Sequence, residues 1–276
     1  MTEASQDRTG VALAGGPGAG VPGVPAPVHR PRVVAHRGNS AVAPQNTLAA
    51  FEAAWRAGAD SIEIDIQLTA DGHVVVIHDD TVDATTDGQG SVAGLTLDAL
   101  RALDAGSWFA AAYRGQRVPT FAEVLELLVR RPGIELLLEL KGAWTTAQVR
   151  PVTAAIREAG LTGRVVGQSF WPESVAALAE ADPALRRGLL VFEVPDGVDA
   201  LVRTCTGLGV MTCNPYGPLL VEHPELVARL HAAGLQVMVW TLDEPGQWAA
   251  AAALGVDAVI TDRPDRLAGW LAAHPA

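Results

Sequence analysis

At 276 residues, 49% of them hydrophobic, the chain can bury a sizeable core as one large α/β domain or two average ones. Its 20 basic and 31 acidic residues give a net charge of −11, which argues against nonspecific nucleic-acid binding through a basic surface. No run of about 18 apolar residues occurs, so no transmembrane helix is expected.

Residues 1–31 are rich in Gly, Pro and Ala and lack a periodic apolar pattern, so they read as a flexible tail. Glu3 and Asp7 stand where a secretory leader would be basic, and Gly and Pro break up the apolar residues, so a signal peptide is not expected. Cys205 and Cys213 form no metal-spaced cluster and read as small core or pocket-edge residues suited to a reducing compartment. A cytoplasmic location follows from these readings.

From residue 32 onward, short apolar runs alternate with amphipathic segments. The runs at 32–36, 60–68, 73–78, 134–141, 164–170, 186–192, 208–213, 235–241 and 257–261 read as strands. The segments at 47–57, 120–130, 146–159, 172–181, 197–203, 222–233, 244–254 and 264–272 read as helices. Such alternation implies parallel strands joined by helices. With 73–78 set aside as an appended strand, eight strand–helix units remain, the count of a (β/α)8 TIM barrel. Residues 79–119 break the rhythm and read as a small insertion after the second strand, on the loop face. An open doubly wound sheet is disfavoured, because no glycine-rich phosphate loop follows the first strand.

Side chains on a strand alternate faces, so Ile62, Ile64 and Ile66 point to the helical layer while Glu63 and Asp65 point into the barrel. Their Cα atoms lie about 7 Å apart, from where two carboxylates can converge on one ion. Glu139 and Lys141 likewise share a face of their strand, as a third oxygen ligand with a neighbouring cation or as a structural ion pair. Three carboxylates without a thiolate suit a hard divalent cation, Mg²⁺ or Ca²⁺. His36 and His78 stand at strand ends, where TIM barrels place their chemistry, and histidine can exchange protons near neutral pH. Arg37 can fork onto phosphate oxygens or form a surface ion pair. Trp240 shares a face with Met238 and either walls the pocket or packs the core.

His36-Arg37-Gly38, Pro44-Gln45-Asn46-Thr47, Glu63-Ile64-Asp65, His78-Asp79, Glu139-Leu140-Lys141 and Ile260-Thr261-Asp262-Arg263-Pro264 occur in order, with Gln168-Ser169-Phe170 and Trp240-Thr241 between them. This series resembles the signature of the glycerophosphodiester phosphodiesterases from about residue 32 to 270. The resemblance implies a TIM barrel that hydrolyses glycerophosphodiesters to sn-glycerol 3-phosphate and an alcohol. It implies Glu63, Asp65 and Glu139 as ligands of one Mg²⁺ or Ca²⁺, His36 and His78 as the acid–base pair, and Arg37 and Lys141 on the phosphate. The family often has Glu where Gln45 stands, and Arg where Ala84 stands. Two rival readings are a barrel phospholipase of the lysophospholipase D type that releases a cyclic phosphate, and a noncatalytic phosphoester-binding barrel.

Overall fold

The computed structural model describes residues 30–275. The expected flexible tail, with His29, lies outside the described residues except for Arg30 and Pro31.

Eight parallel strands close into a barrel. They are β1 (Arg32–Ala35), β2 (Ser61–Leu68), β4 (Glu135–Leu140), β5 (Val165–Ser169), β6 (Arg186–Val191), β7 (Thr212–Pro215), β8 (Gln236–Val239) and β9 (Ala258–Thr261). Each pairs with its sequence neighbour in the ring, and β1 pairs with both β9 and β2, which closes the circle. The short β3 (Val74–Val76) is antiparallel to β2 and stands outside the ring. This is the (β/α)8 barrel expected from the alternation.

The helices wrap the outside: α1 (Leu48–Arg56), α3 (Phe121–Arg130), α4 (Thr146–Glu158), α5 (Pro172–Ala181), α6 (Val198–Leu208), α7 (Leu219–Glu222), α8 (Leu226–Ala232), α9 (Pro245–Ala253) and α10 (Pro264–Ala273). A five-residue helix, α2 (Leu97–Arg101), precedes α3. Local chemistry sets several starts. Thr120 with Glu123, and Thr145 with Gln148, form reciprocal capping boxes that satisfy the first amide groups of α3 and α4.

Strands buried on both faces read as continuous apolar runs, but their two faces serve different layers. Ile62, Ile64 and Ile66 of β2 and Leu136, Leu138 and Leu140 of β4 pack outward with Phe51, Val124 and Leu128 from the helices. Inward, Val34, Leu137, Val166, Met238, Ala258 and Ile260 fill the barrel, with Trp240 packed against them. A third cluster lies off the barrel. Val75, Ile77, Val82, Val92, Leu100, Ala105 and Val118 give the segment between β3 and α3 its own small core.

Two elements depart from expectation. The strand expected at 208–213 runs instead from Thr212 to Pro215. Helix α6 extends to Leu208 and stops where Gly209 takes a left-handed φ of 61°, so the apolar Val210 and Met211 serve as connection rather than strand. The single helix expected at 222–233 is two, α7 and α8. Pro224 lies at the break and has no amide hydrogen to continue the helical ladder. No described helix is long and apolar enough to cross a membrane.

Candidate active site

Six of the eight residues singled out from the sequence lie at or just beyond the carboxyl ends of strands, and Glu63 and Asp65 lie inside the longer β2, level with the ends of its neighbours β1 and β4. β1 leads into His36 and Arg37, β2 carries Glu63 and Asp65, β4 carries Glu139 and leads into Lys141, and β8 leads into Trp240. His78 follows β3 by two residues and is carried back to the barrel rim by the β2–β3 hairpin.

The register explains the carboxylate cluster. Asp65 is the cross-strand neighbour of Glu139, so their side chains leave adjacent strands on the same inward face. Glu63 sits one inward position earlier on β2. One ligand atom from each of Glu63, Asp65 and Glu139 lies within 4.8 Å of the others, and all three residues are buried. Burial pushes the Glu63 carboxyl well above the ordinary carboxylate range, and the charges of Asp65 and Glu139 push it further. Burial, with Asp65 adding to it, likewise raises Glu139 to about 7 despite Lys141 beside it. Burial alone would raise Asp65 too, but His78, Arg37, Lys141 and the Asn46 amide hold it well below the usual range. Three buried carboxylates that repel one another are a donor set suited to a divalent metal ion, whose charge would remove that repulsion.

Cations and amides border the trio. Lys141 Nζ lies 3.1 Å from Glu139 Oε1, with both side chains buried. The two residues share a face of β4 and its end, and Glu139 both pairs with Lys141 and belongs to the carboxylate cluster. Arg37 Nε lies 3.5 Å from Asp65 Oδ2. Its Nη1 donates to Gln45 Oε1 at 3.0 Å. A neutral Gln45 leaves the guanidinium charge less compensated than a glutamate would. The Arg37 amide donates to Glu63 Oε2 at 2.9 Å, a contact reached with Arg37 in the left-handed region at φ 56°. Gly38 continues that turn at φ 86°, where an added Cβ would stand 2.7 Å from the Ala50 carbonyl carbon. Only glycine fits the turn so tightly against α1.

The Pro44-Gln45-Asn46-Thr47 segment serves three purposes in consecutive residues. Gln45 holds Arg37, Asn46 Nδ2 donates to Asp65 Oδ2 at 2.8 Å, and Thr47 caps α1.

Both histidines are held from behind. His36 Nδ1 lies 2.8 Å from Asp262 Oδ1, and His78 Nδ1 lies 2.7 Å from Asp79 Oδ1. In each pair the ionised carboxylate accepts the Nδ1 hydrogen, which fixes the ring's orientation and leaves Nε2 outside that bond. The hydrogen bond from His78 keeps Asp79 below the ordinary carboxylate range, despite its burial. Burial opposes ionisation of Asp262, but the hydrogen bond and charge of His36, with Ser40 donating as well, keep it well below that range. The Asp262 amide in turn donates to Asp243 Oδ1 at 2.8 Å. Gln67 Nε2 reaches the carbonyls of Ile77, His78 and Asp79 at 3.1, 3.0 and 2.8 Å, tying the second histidine's loop to β2.

Trp240 joins two layers. Its Nε1 donates to the Asn214 carbonyl at 2.7 Å, and its ring packs edge-on to Phe170 and at a tilt to Tyr216. It packs against the barrel's inner layer, as the core-packing reading expected. Asp262, which holds His36, and Asn46 and Gln67 received no role from the sequence alone. For Asp262 a signal existed: it is an acidic residue immediately after the last apolar strand.

A family model described as the glycerophosphoryl diester phosphodiesterase family matches residues 36–266. A glycerophosphodiester phosphodiesterase of Caldanaerobacter subterraneus is 36% identical over 237 residues, covering 85% of this chain and 95% of the relative. Among solved structures, a glycerophosphodiester phosphodiesterase from Agrobacterium tumefaciens aligns with a TM-score of 0.75 and 31% identity, over 87% of this chain and 99% of that one. A phosphodiesterase from Oleispira antarctica, solved in complex with the product sn-glycerol-3-phosphate, aligns with a TM-score of 0.78 and 29% identity, over 88% and 97%.

Proposed function

The chain belongs to the glycerophosphoryl diester phosphodiesterase family and is a phosphodiesterase, and from that premise we propose that it hydrolyses glycerophosphodiesters to sn-glycerol 3-phosphate and an alcohol, with His36 and His78 moving the protons. The observation that carries this reading is the matched pair of imidazoles, each held at Nδ1 by a carboxylate, beside three clustered carboxylates and two cations.

Glu63, Asp65 and Glu139 would hold one divalent cation, Mg²⁺ or Ca²⁺. When bound, such an ion would supply Lewis-acid charge to the reacting phosphate. Arg37 and Lys141 bind the nonbridging phosphate oxygens and share the charge that builds as the bond to phosphorus forms. One imidazole Nε2 takes the proton from the nucleophile. The other, protonated, gives its proton from Nε2 to the leaving alkoxide, so that the alcohol departs neutral. The nucleophile is the glycerol 2-hydroxyl, which closes a cyclic phosphate that water then opens as the two imidazoles exchange roles. Asp262 and Asp79 act through the histidines: they fix the tautomer and stabilise each ring when it carries charge.

Phosphorus NMR of glycerophosphocholine turnover tests this reading. The expected end product is sn-glycerol 3-phosphate. A cyclic phosphate as the final product would favour the phospholipase-type rival, and an unchanged spectrum would favour a binding protein.

The positioning role is separable from folding. Asp262→Asn should keep the side chain's shape but offer His36 the wrong hydrogen-bonding pattern. The expected result is a fall in kcat of about 10- to 100-fold with KM little changed and the acidic limb of the pH–rate profile displaced. Equal losses in both parameters without a change of pH profile would indicate a merely structural residue.

A further inference from the structure

The carboxylate that holds His36 is itself held from two sides. From the end of β1, the His36 amide donates to the Thr261 carbonyl at 2.9 Å and the Ala41 amide to the Asp262 carbonyl at 3.0 Å. From the β8 side, a single oxygen grips the same two residues. Asp243 Oδ1 accepts the Thr261 hydroxyl and the Asp262 amide, each at 2.8 Å. Thr261 is fully buried, and its hydroxyl also accepts the Arg263 amide at 3.1 Å.

Asp243 stands between β8 and α9, and its own backbone is anchored. Gln247 Oε1, in the first turn of α9, accepts the Asp243 and Glu244 amides at 3.0 and 3.1 Å. The Leu242 amide donates to the Ile260 carbonyl at 3.1 Å, and Arg263 Nη1 donates to Glu244 Oε1 at 2.8 Å. The exits of β8 and β9 are thus stitched together, and Asp243 is the stitch that reaches the partner of His36.

We propose that Asp243 is a positioning residue of the proton-transfer centre, acting through Asp262 on His36, and that it serves as a hydrogen-bond acceptor and not as a charge. The proposal rests on the reading above in which His36 moves a proton. Releasing the Asp262 amide would let that backbone turn. A shift of about 1 Å in the group that orients a reacting ring can cost on the order of 100-fold in rate. Charge at Asp243 is unfavourable where it stands. Burial raises its carboxyl above the ordinary carboxylate range and the charge of Asp262 raises it further, against the hydrogen bonds from Thr261 and the Asp262 amide and the charge of His36. An asparagine carbonyl can accept the same two bonds without that cost. Alanine leaves a buried hydroxyl and an amide without their partner.

The test measures kcat and KM for glycerophosphocholine in the full chain, Asp243→Asn, Asp243→Ala, Asp262→Ala and the double variant Asp243→Ala/Asp262→Ala. Asp243→Asn should stay within about threefold of wild type, because it keeps the acceptor. Asp243→Ala should lose about 10- to 100-fold in kcat with KM changed by less than about twofold. In the Asp262→Ala background the same replacement should cost less than about a further twofold, since no carboxylate remains to be positioned. Should Asp243→Ala not fold, Thr261→Val takes its place in the cycle. It removes one of the two donors while keeping the side chain's shape, and its loss should likewise disappear in the Asp262→Ala background. Unchanged kcat in Asp243→Ala, losses that multiply in the double variant, or an Asp243→Asn as impaired as Asp243→Ala would overturn the proposal while leaving the phosphodiesterase reading intact. A wild type that releases no glycerol 3-phosphate would overturn both.

Discussion

Replacing His36 or His78 with alanine is expected to lower kcat for glycerophosphocholine by about 10²- to 10⁴-fold, with little change in KM. The expectation follows from where the rings stand rather than from their being histidines. Each has Nδ1 committed to a carboxylate, Asp262 or Asp79, so each presents one nitrogen to the reaction. A group that acts only as protons move contributes to the transition state and little to ground-state binding, which lowers kcat and kcat/KM together. The double replacement should cost little more than the worse single one, because in the proposed reaction the two rings act as a unit in the same transition state. Initial rates over a range of substrate at saturating cation check this. Either single variant within tenfold of wild type would exclude that ring from proton transfer.

Glu63→Gln is expected to change stability and cation response in opposite directions. Without a cation, Glu63 is buried among carboxylates and raised well above its ordinary range by burial and by Asp65 and Glu139. A carboxyl raised in this way costs the folded state stability near neutral pH, whether it ionises there or takes up a proton. Gln removes that cost, so the cation-free variant should melt above the cation-free wild type. The wild type should then gain about 2.7 kcal/mol at a cation concentration 100 times its Kd, or roughly 5–10 °C in Tm for a chain of this size. The variant should gain far less, and its activity should fall by about 10²- to 10³-fold with the loss of several kcal/mol of charge stabilisation. The wild-type gain should also shrink as the medium is acidified, because a protonated carboxyl is a poor ligand. The direction agrees with Glu139 being raised by burial to about 7. Thermal melts with and without Mg²⁺ or Ca²⁺ read all of this. Equal shifts in both proteins would remove Glu63 from the cation site.

The barrel and most of the site could be read from the chain because both rest on short-range periodicity. Alternation along β2 separated Ile62, Ile64 and Ile66 from Glu63 and Asp65 before any partner strand was known, and the structure places them on those faces. The same rule paired Glu139 with Lys141. Contacts set by barrel closure carried no such signal. His36 and Asp262 are 226 positions apart, and only the β1–β9 pairing that seals the ring brings them together. The stack of Phe192 on Tyr216 likewise depends on the adjacent ends of β6 and β7, which local pattern does not encode. The misplaced strand at 208–213 has the converse cause: Val210 and Met211 are apolar for packing reasons, and the left-handed Gly209 decides where the helix stops.

The most direct measurement is release of sn-glycerol 3-phosphate from glycerophosphocholine by the wild-type chain, first after treatment with a chelator and then with Mg²⁺ or Ca²⁺ restored. Turnover that vanishes in chelator and returns with the cation is the predicted result. Undiminished turnover in chelator would contradict the role given to Glu63, Asp65 and Glu139. Absence of glycerol 3-phosphate under every condition would contradict the proposed reaction itself.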